Sequence, residues 1–164
     1  MFGRKKKNAV LEVLEILTPV PGKVVALENV PDEAFSSRAM GEGIAVLPAE
    51  GKVFAPFDGE IAHIMEKSKH ALLLEHESGV QIMIHVGMNT VSLKGEGFTA
   101  HVGNGDQVKK GQLLLEFDIQ AIQQAGYSVI TPIIVPNGQD PVKRIEIVED
   151  NGNLEQEMFI RLYF

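Results

Sequence analysis

The chain has 164 residues, no cysteine and a formal net charge of −7. A chain of this length forms one domain that buries roughly 70% of its unfolded surface, and without cysteine it has neither a disulfide framework nor a thiolate metal or redox site. The negative charge argues against nucleic acid as a partner, because lysine and arginine bind phosphate backbones. No apolar run approaches the ~20 residues of a membrane span and no signal peptide is recognisable, so we expect a cytoplasmic protein without a transmembrane segment.

The first predicted segment, residues 1–16, is an N-terminal tail before a single folded domain over residues 17–164. Its basic run, Arg4–Lys7, is followed by apolar residues between Val10 and Leu17. A basic amphipathic segment of this kind can lie on an anionic bilayer. A flexible, solvated tail is the simpler interpretation.

From Thr18 onwards, glycine and proline separate short β-branched runs, which predicts many short strands. Candidate strands are Lys23–Leu27, Gly43–Leu47 and Gly59–Ile64. An internal repeat supports them, since Thr18–Val24 aligns without gaps on Ala55–Ile61, each copy being a turn that leads into a strand. These features predict an all-β fold, an antiparallel β-sandwich or barrel.

Two short helices are predicted within this fold. Residues 31–38 begin with proline and acidic residues, as helices often do, and Gly41 follows them. Residues 118–125 have Asp118 as a capping residue and Gly126 as a stop. We expect Ile119 and Ile122 of the second helix to pack on one end of the sandwich.

Two apolar runs each carry a histidine. In the run from Gly79 to Val91, the even-numbered residues from Val80 to Val86 should face the core, while Gln81, Met83 and His85 face outward. The earlier run, Ala71–Glu75, directly follows His70.

The two runs are predicted to pair as a hairpin. A four-residue loop, His76–Gly79, would place Glu75 opposite Val80 and His70 opposite His85, with Cβ atoms roughly 5 Å apart. A loop one residue shorter would place the histidines on opposite faces. A facing pair of imidazoles suits metal ligation, acid–base catalysis or the carrying of a phosphoryl group on one ring.

The string from Gly79 to Val91, with Lys94–Phe98 after it, resembles the active-site motif of the glucose-family enzyme IIA component of the bacterial sugar phosphotransferase system. By this resemblance His85 is the phosphorylated histidine and His70 is the second active-site histidine. Ser68 stands where the family has a hydroxyl-bearing threonine. The resemblance extends from about Leu17 to the C-terminus, and one departure is Asn89, where relatives carry aspartate.

The resemblance implies a phosphotransferase with a phosphohistidine intermediate and no cofactor. Phosphocarrier protein HPr would donate the phosphoryl group to Nε2 of His85, and a IIB domain of a sugar transporter would receive it; regulatory protein targets are also open. His70 would hydrogen-bond a phosphoryl oxygen, and Ser68 would orient His70. Docking would use an apolar centre and a polar rim, which we predict at Met83, Leu72, Phe35 and Met88 for the centre and at Glu33, Asn89 and Glu96 for the rim.

Two alternatives stay open. Residues 102–114 resemble a turn-and-strand unit of lipoyl- and biotinyl-carrier domains, for which Lys67 or Lys69 would be the modified lysine. Those carriers are about half as long, so the segment is better explained by shared sandwich geometry. A non-catalytic regulatory binding module is the other alternative.

Metal ligation is not predicted within the chain itself. A catalytic zinc needs three protein ligands, and the paired histidines supply two. A zinc shared with a partner's carboxylate is compatible with the family resemblance. The remaining histidines, His63, His76 and His101, are predicted to be solvated surface residues.

Overall fold

The structure, a computed structural model, describes residues 12–149 and 158–164. The basic run Arg4–Lys7 lies outside the described residues. The strands, in chain order, are β1 (Val13–Ile16), β2 (Gly22–Ala26), β3 (Gly41–Pro48), β4 (Lys52–Phe54), β5 (Gly59–Ile64), β6 (Ala71–His76), β7 (Gln81–His85), β8 (Phe98–Ala100), β9 (Gln107–Val108), β10 (Leu113–Phe117), β11 (Thr131–Pro136), β12 (Arg144–Glu149) and β13 (Met158–Tyr163).

The strands form three antiparallel sheets. The largest has the order β2-β3-β11-β7-β6-β5-β9, and two three-stranded sheets have the orders β1-β13-β12 and β4-β10-β8. One apolar core draws residues from all three, for example Ile84 from the large sheet, Ile160 from the first small sheet and Leu115 from the second, each fully buried. The predicted all-β antiparallel sandwich is confirmed.

The internal repeat places equivalent glycines at the start of two strands of the large sheet. Gly22 begins β2 and Gly59 begins β5. A Cβ atom on Gly22 would lie 2.2 Å from the carbonyl oxygen of Leu47, and one on Gly59 would lie 2.3 Å from that of Glu75. Each repeat therefore uses glycine where the chain enters the sheet against a neighbouring backbone.

Both helices are present and short. Helix α1 (Glu33–Ser36) is capped by Asp32, whose carboxylate accepts a hydrogen bond from the amide of Ala34. Helix α2 (Ile119–Gln124) is capped by Asp118 in the same way. Ile122 is fully buried and Ile119 is partly buried against the core, as predicted. Neither helix approaches the length or apolar character that crossing a bilayer requires, and this holds for all the described residues.

The predicted boundary after residue 16 is wrong. Strand β1 pairs with β13 from Val13↔Tyr163 to Ile16↔Ile160, and Ile16 is fully buried in the core. The apolar residues before residue 17 are therefore part of the folded domain as far back as Val13. Their alternating exposure is that of a strand packed on one face.

Candidate functional site

The hairpin of β6 and β7 has a tighter turn than the sequence predicted. Ala71 lies opposite His85, and Glu75 lies opposite Gln81. The amide of His76 donates to the carbonyl of Val80 over 2.8 Å, so the loop has three residues, 77–79. The predicted pairing of His70 with His85 around a four-residue loop is therefore wrong by one residue.

The predicted faces of β7 are confirmed. Val80, Ile82, Ile84 and Val86 are fully buried, whereas Met83 and His85 are partly exposed on the opposite face. On β6, however, the one-residue change of register places Leu72 opposite Ile84, where it is 2% exposed. Leu72 is a core residue and does not belong to a docking patch.

His70 still reaches His85 because it precedes the regular part of β6. The turn before it closes with a hydrogen bond from the amide of Lys69 to the carbonyl of Met65, and Lys69 has a left-handed φ of 55°. After this turn the rings of His70 and His85 meet edge to face, with centroids 4.7 Å apart and planes at 89°. The structure thus brings the two predicted histidines together by a turn, and not by cross-strand opposition.

The ring of His85 has its Nδ1 atom 2.9 Å from the carbonyl oxygen of Gly87. A carbonyl oxygen only accepts hydrogen bonds, so Nδ1 carries the proton of the neutral ring. The lone pair is then on Nε2. The hydrogen bond therefore selects the tautomer in which Nε2 has the lone pair that a nucleophile needs.

Tight packing fixes the position of the Gly87 carbonyl. Gly87 has φ of +76°, and a Cβ atom there would lie 2.6 Å from Cγ2 of Thr90 and 2.7 Å from the carbonyl oxygen of Ser128. The hydroxyl of fully buried Thr90 donates to the carbonyl of Val86. A glycine is required at this position both for the backbone conformation and for space.

Ser68 lies beside His70, as predicted. Its hydroxyl oxygen is 2.7 Å from Nδ1 of His70, and both side chains are 4% exposed. When the hydroxyl donates, Nδ1 of His70 is the acceptor and Nε2 carries the proton. This tautomer gives His70 a hydrogen-bond donor on the side of the ring away from Ser68.

Burial favours the neutral form of both histidines. Loss of solvent, with the charge of nearby His85 as the smaller cause, lowers the pKa of His70 to about 4. Loss of solvent also lowers the pKa of His85, although its hydrogen bond to Gly87 and the charge of Asp32 oppose this change. Sequence analysis did not identify Asp32 as part of the site; its signal there was only that of an acidic residue at the start of a helix.

A buried apolar cluster packs against the ring of His85. The ring of Phe35 lies 5.0 Å from that of His85, centroid to centroid, with planes at 55°. Phe35 and Met88 are each 4% exposed and belong to a small second core against which Met83 packs. Two members of the predicted docking centre therefore support the site from within, and of the four only Met83 is partly exposed. The predicted rim residues are exposed, namely Glu33, Asn89 and Glu96.

The other histidines differ from one another. His63 is exposed, and His101 is exposed and forms an ion-pair contact of 2.8 Å with Glu116. His76 departs from the prediction of a solvated ring, because it is partly buried between Phe57 and Phe164, with ring centroids at 5.3 and 5.7 Å. Its position at the end of β6 next to the C-terminal strand explains this packing.

The turn between β5 and β6 contains Lys67 and Lys69, the lysines considered for a carrier domain. Within residues 12–149 and 158–164, no group of three or more histidine, aspartate or glutamate side chains is arranged to hold a metal ion. A metal at His70 and His85 would need a further ligand from another molecule.

Comparison with known proteins agrees with the site. The family model of the phosphoenolpyruvate-dependent sugar phosphotransferase system, EIIA 1, matches residues 14–141. The glucose-specific EIIA component of Oceanobacillus iheyensis is 46% identical over 138 residues, which cover 83% of each chain. The glucosamine-specific EIICBA component of Bacillus subtilis is 49% identical over 79% of this chain, which spans only 20% of that longer protein. The glucose permease IIA structure from Mycoplasma capricolum has a TM-score of 0.78 and 30% identity, covering 92% of this chain and 96% of that one.

Proposed function

Because this chain belongs to the EIIA 1 family of the phosphoenolpyruvate-dependent sugar phosphotransferase system, whose members are phosphoryl carriers, we propose that it carries the phosphoryl group on Nε2 of His85. The observation that carries this proposal is the hydrogen bond between Nδ1 of His85 and the carbonyl of Gly87. It leaves Nε2 unprotonated in a ring whose pKa is lowered by burial. A neutral ring with a free nitrogen can attack phosphorus without a separate base.

The transfer step needs one bond to form and one to break. The Nε2 lone pair of His85 attacks phosphorus of the phosphorylated donor, and the bond between phosphorus and the donor atom breaks as the new bond forms. Positive charge develops on the His85 ring during attack. The Gly87 carbonyl, already bound to Nδ1–H, stabilises that charge without rearrangement.

His70 acts from the side on the later step, in which the phosphoryl group leaves His85 for the acceptor. With Ser68 donating to Nδ1, the Nε2–H group of His70 is free to donate to a phosphoryl oxygen. Such a donor, already oriented, stabilises the charge that spreads over the equatorial oxygens in the transition state. Burial of His70 and partial burial of His85 limit the water that would hydrolyse the phosphohistidine.

The proposed partners follow from the family. HPr supplies the phosphoryl group and a IIB domain receives it, in the cytoplasm; regulatory proteins that distinguish the two phosphorylation states would bind the same face. Partly exposed Met83, on the same face of β7 as His85, suits the centre of a transient interface, for which exposed Glu33, Asn89 and Glu96 are the predicted rim.

The test is incubation of the full chain with phosphorylated HPr, followed by intact-mass measurement and mapping of the modified residue. We expect one phosphoryl group, on His85, and none on the His85→Ala variant. The His70→Ala variant should accept the group but deliver it slowly to a IIB domain. A lipoyl or biotinyl group on Lys67 or Lys69, or no phosphoryl uptake, would reject the proposal in favour of a carrier domain or a binding module.

A further inference from the structure

A cleft whose lining includes neither His70 nor His85 lies next to the site. It has a volume of about 940 Å³ and lies between the turn that joins β5 to β6 and the turn after residues 90–93. Ser68, the hydrogen-bond partner of His70, forms part of its wall. Transfer between protein surfaces does not require a cleft of this size, which is within the range of small-molecule sites.

Three lysines converge on this cleft in a chain of net charge −7. Lys67, Lys69 and Lys94 line it, with one carboxylate, that of Glu66. No described residue forms an ion pair with any of the three lysines. Gathering unpaired like charges raises the free energy of the empty cleft, and an anion in the cleft would lower it.

The backbone holds two of these lysines in an unfavourable conformation. Lys69 and Lys94 have φ of 55° and 54°, in the left-handed region where asparagine and glycine are favoured. They are two of the four non-glycine residues with positive φ among the described residues. Asparagine or glycine would form either turn with less backbone strain, so the lysines at these positions carry a cost that a function of their charge would explain.

The two turns pack directly against each other. A Cβ atom on Gly95 would lie 2.3 Å from the carbonyl oxygen of Lys67 and 3.4 Å from Nζ of Lys69. The Lys69 ammonium group therefore lies against the residue that follows Lys94. Close packing of backbone thus holds the Lys69 ammonium group at the turn that contains Lys94, and glycine at position 95 is what permits it.

The rest of the lining can hold the organic part of a ligand. Asn104 and His63 offer polar groups, and exposed Met65 and Val91 offer apolar surface. The amide oxygen of Asn104 is anchored 2.6 Å from the amide nitrogen of Ile64, so its NH2 group is oriented to donate. A lysine cluster beside neutral donors and apolar atoms matches a phosphorylated polyol better than a bare ion.

We propose that this cleft binds a small phosphorylated sugar, with its phosphate held by Lys69 and Lys94 and its hydroxyl groups facing Asn104. Because Ser68 belongs both to the cleft and to the His70 pair, an occupied cleft would also change the environment of His70. The proposal concerns binding alone and does not rest on phosphorylation of His85.

The test is an NMR titration of the full ¹⁵N-labelled chain at constant ionic strength, with glucose 6-phosphate, glucose and inorganic phosphate as probes. We expect saturable shifts for glucose 6-phosphate at the amides of Ser68, Lys69 and Lys94, a shift of the His70 ring nitrogens, and none of these with glucose. The double variant Lys69→Asn, Lys94→Asn keeps residues that tolerate the left-handed conformation and should bind at least about tenfold more weakly.

The matched control is Lys109→Asn, which removes an exposed lysine near the other end of β5 and should bind glucose 6-phosphate like the unmodified chain. Three results would overturn the proposal. They are shifts that do not saturate or that spread over all lysines, a double variant that binds as tightly as the control, and inorganic phosphate that binds as tightly as glucose 6-phosphate.

Discussion

The ring of Phe35 lies against the ring of His85, with their centroids 5.0 Å apart and their planes at 55°. Phe35 is 4% exposed, so helix α1 supplies an apolar wall on one face of the imidazole. Through this contact, a helix of four residues helps to determine how readily a histidine on another element takes up a proton.

Replacing Phe35 by leucine should raise the pKa of His85 towards its ordinary value, because burial is the main cause of its lowering. The variant should then lose phosphoryl uptake from HPr at mildly acidic pH while retaining it at pH 8. An NMR titration of the ring nitrogens of His85 measures the shift. Phe98→Leu is the control, since Phe98 is a buried aromatic residue that stacks on Phe117. Equal pKa values in the two variants would contradict the prediction.

Replacing Gly87 by alanine should lower the free energy of unfolding by about 2 kcal/mol or more. Alanine disfavours the positive φ at this position, and its Cβ atom would clash with the side chain of Thr90 and the carbonyl oxygen of Ser128. Gly105→Ala is matched in backbone conformation, with φ of +87°, but has no atom within 4 Å of the new Cβ, and should cost about 1 kcal/mol. Urea unfolding measures both. Nitrogen chemical shifts should also show a smaller Nδ1–H population at His85 in the first variant only. Equal costs would mean that the Gly87 loop moves freely.

Replacing Ser68 by alanine should slow phosphoryl delivery to a IIB domain by about tenfold, since the loss of one hydrogen bond to a buried ring frees His70 to change tautomer. Ser68→Thr keeps the hydroxyl and should restore most of the rate. Single-turnover transfer from the phosphorylated chain gives the comparison. If both variants were equally slow, the rate of delivery would depend on the packing of the side chain at position 68 and not on its hydroxyl group.

Replacing Met83 by glutamate should reduce the rate of uptake from HPr by at least about tenfold, because a charge would stand in the apolar centre of the docking face and repel the phosphoryl group. Met83 is partly exposed but packs on the second core, so a loss of about 1 kcal/mol in stability is expected too. Met83→Leu keeps the packing and should transfer normally. Thermal melts and single-turnover rates are measured on the same samples. A normal rate for Met83→Glu would show that HPr docks elsewhere.

The stability of the protein should fall as the pH falls from about 6.5 to about 4. The unfolded chain binds a proton at His70 in this window, whereas burial lowers the pKa of the folded state to about 4. One histidine contributes a slope of up to about 1.4 kcal/mol per pH unit, and its effect is absent above the unfolded pKa. Urea unfolding of His70→Gln should show a smaller slope than that of the unmodified chain. Equal slopes in the two proteins would assign the acid sensitivity to other groups.

Strand alternation and the glycine-rich turns were sufficient to predict the sheet architecture and the faces of β7. The one-residue difference in register could not be read from the sequence, because Glu77, Ser78 and Gly79 fit a three-residue loop as well as a four-residue one. In the observed register Leu72 faces the core, and not the docking surface as predicted. His70 remained beside His85 only because the left-handed turn at Lys69 breaks the alternation before the strand begins.

Strand β1 was missed for a different reason. Its pairing partner, β13, lies at the other end of the sequence, and contacts so distant along the chain leave no local pattern. The role of Asp32 was likewise hidden, since a capping aspartate shows its effect on a histidine only after the chain has folded.

The pairing of β1 with β13 has a consequence for how such a domain can be joined to others. The amide of Glu12 donates to the carbonyl of Phe164 and the amide of Phe164 donates to that of Glu12, so the chain enters and leaves the domain at one place. The ring of Phe164 contacts His76, which is separated from Ala71 and the paired histidines by the length of β6, roughly 17 Å. A tether at either strand would therefore hold the domain at the end of β6 away from His85, the proposed phosphoryl carrier. Such a tether would leave the face with His70 and His85 unobstructed for the proposed donor and acceptor proteins.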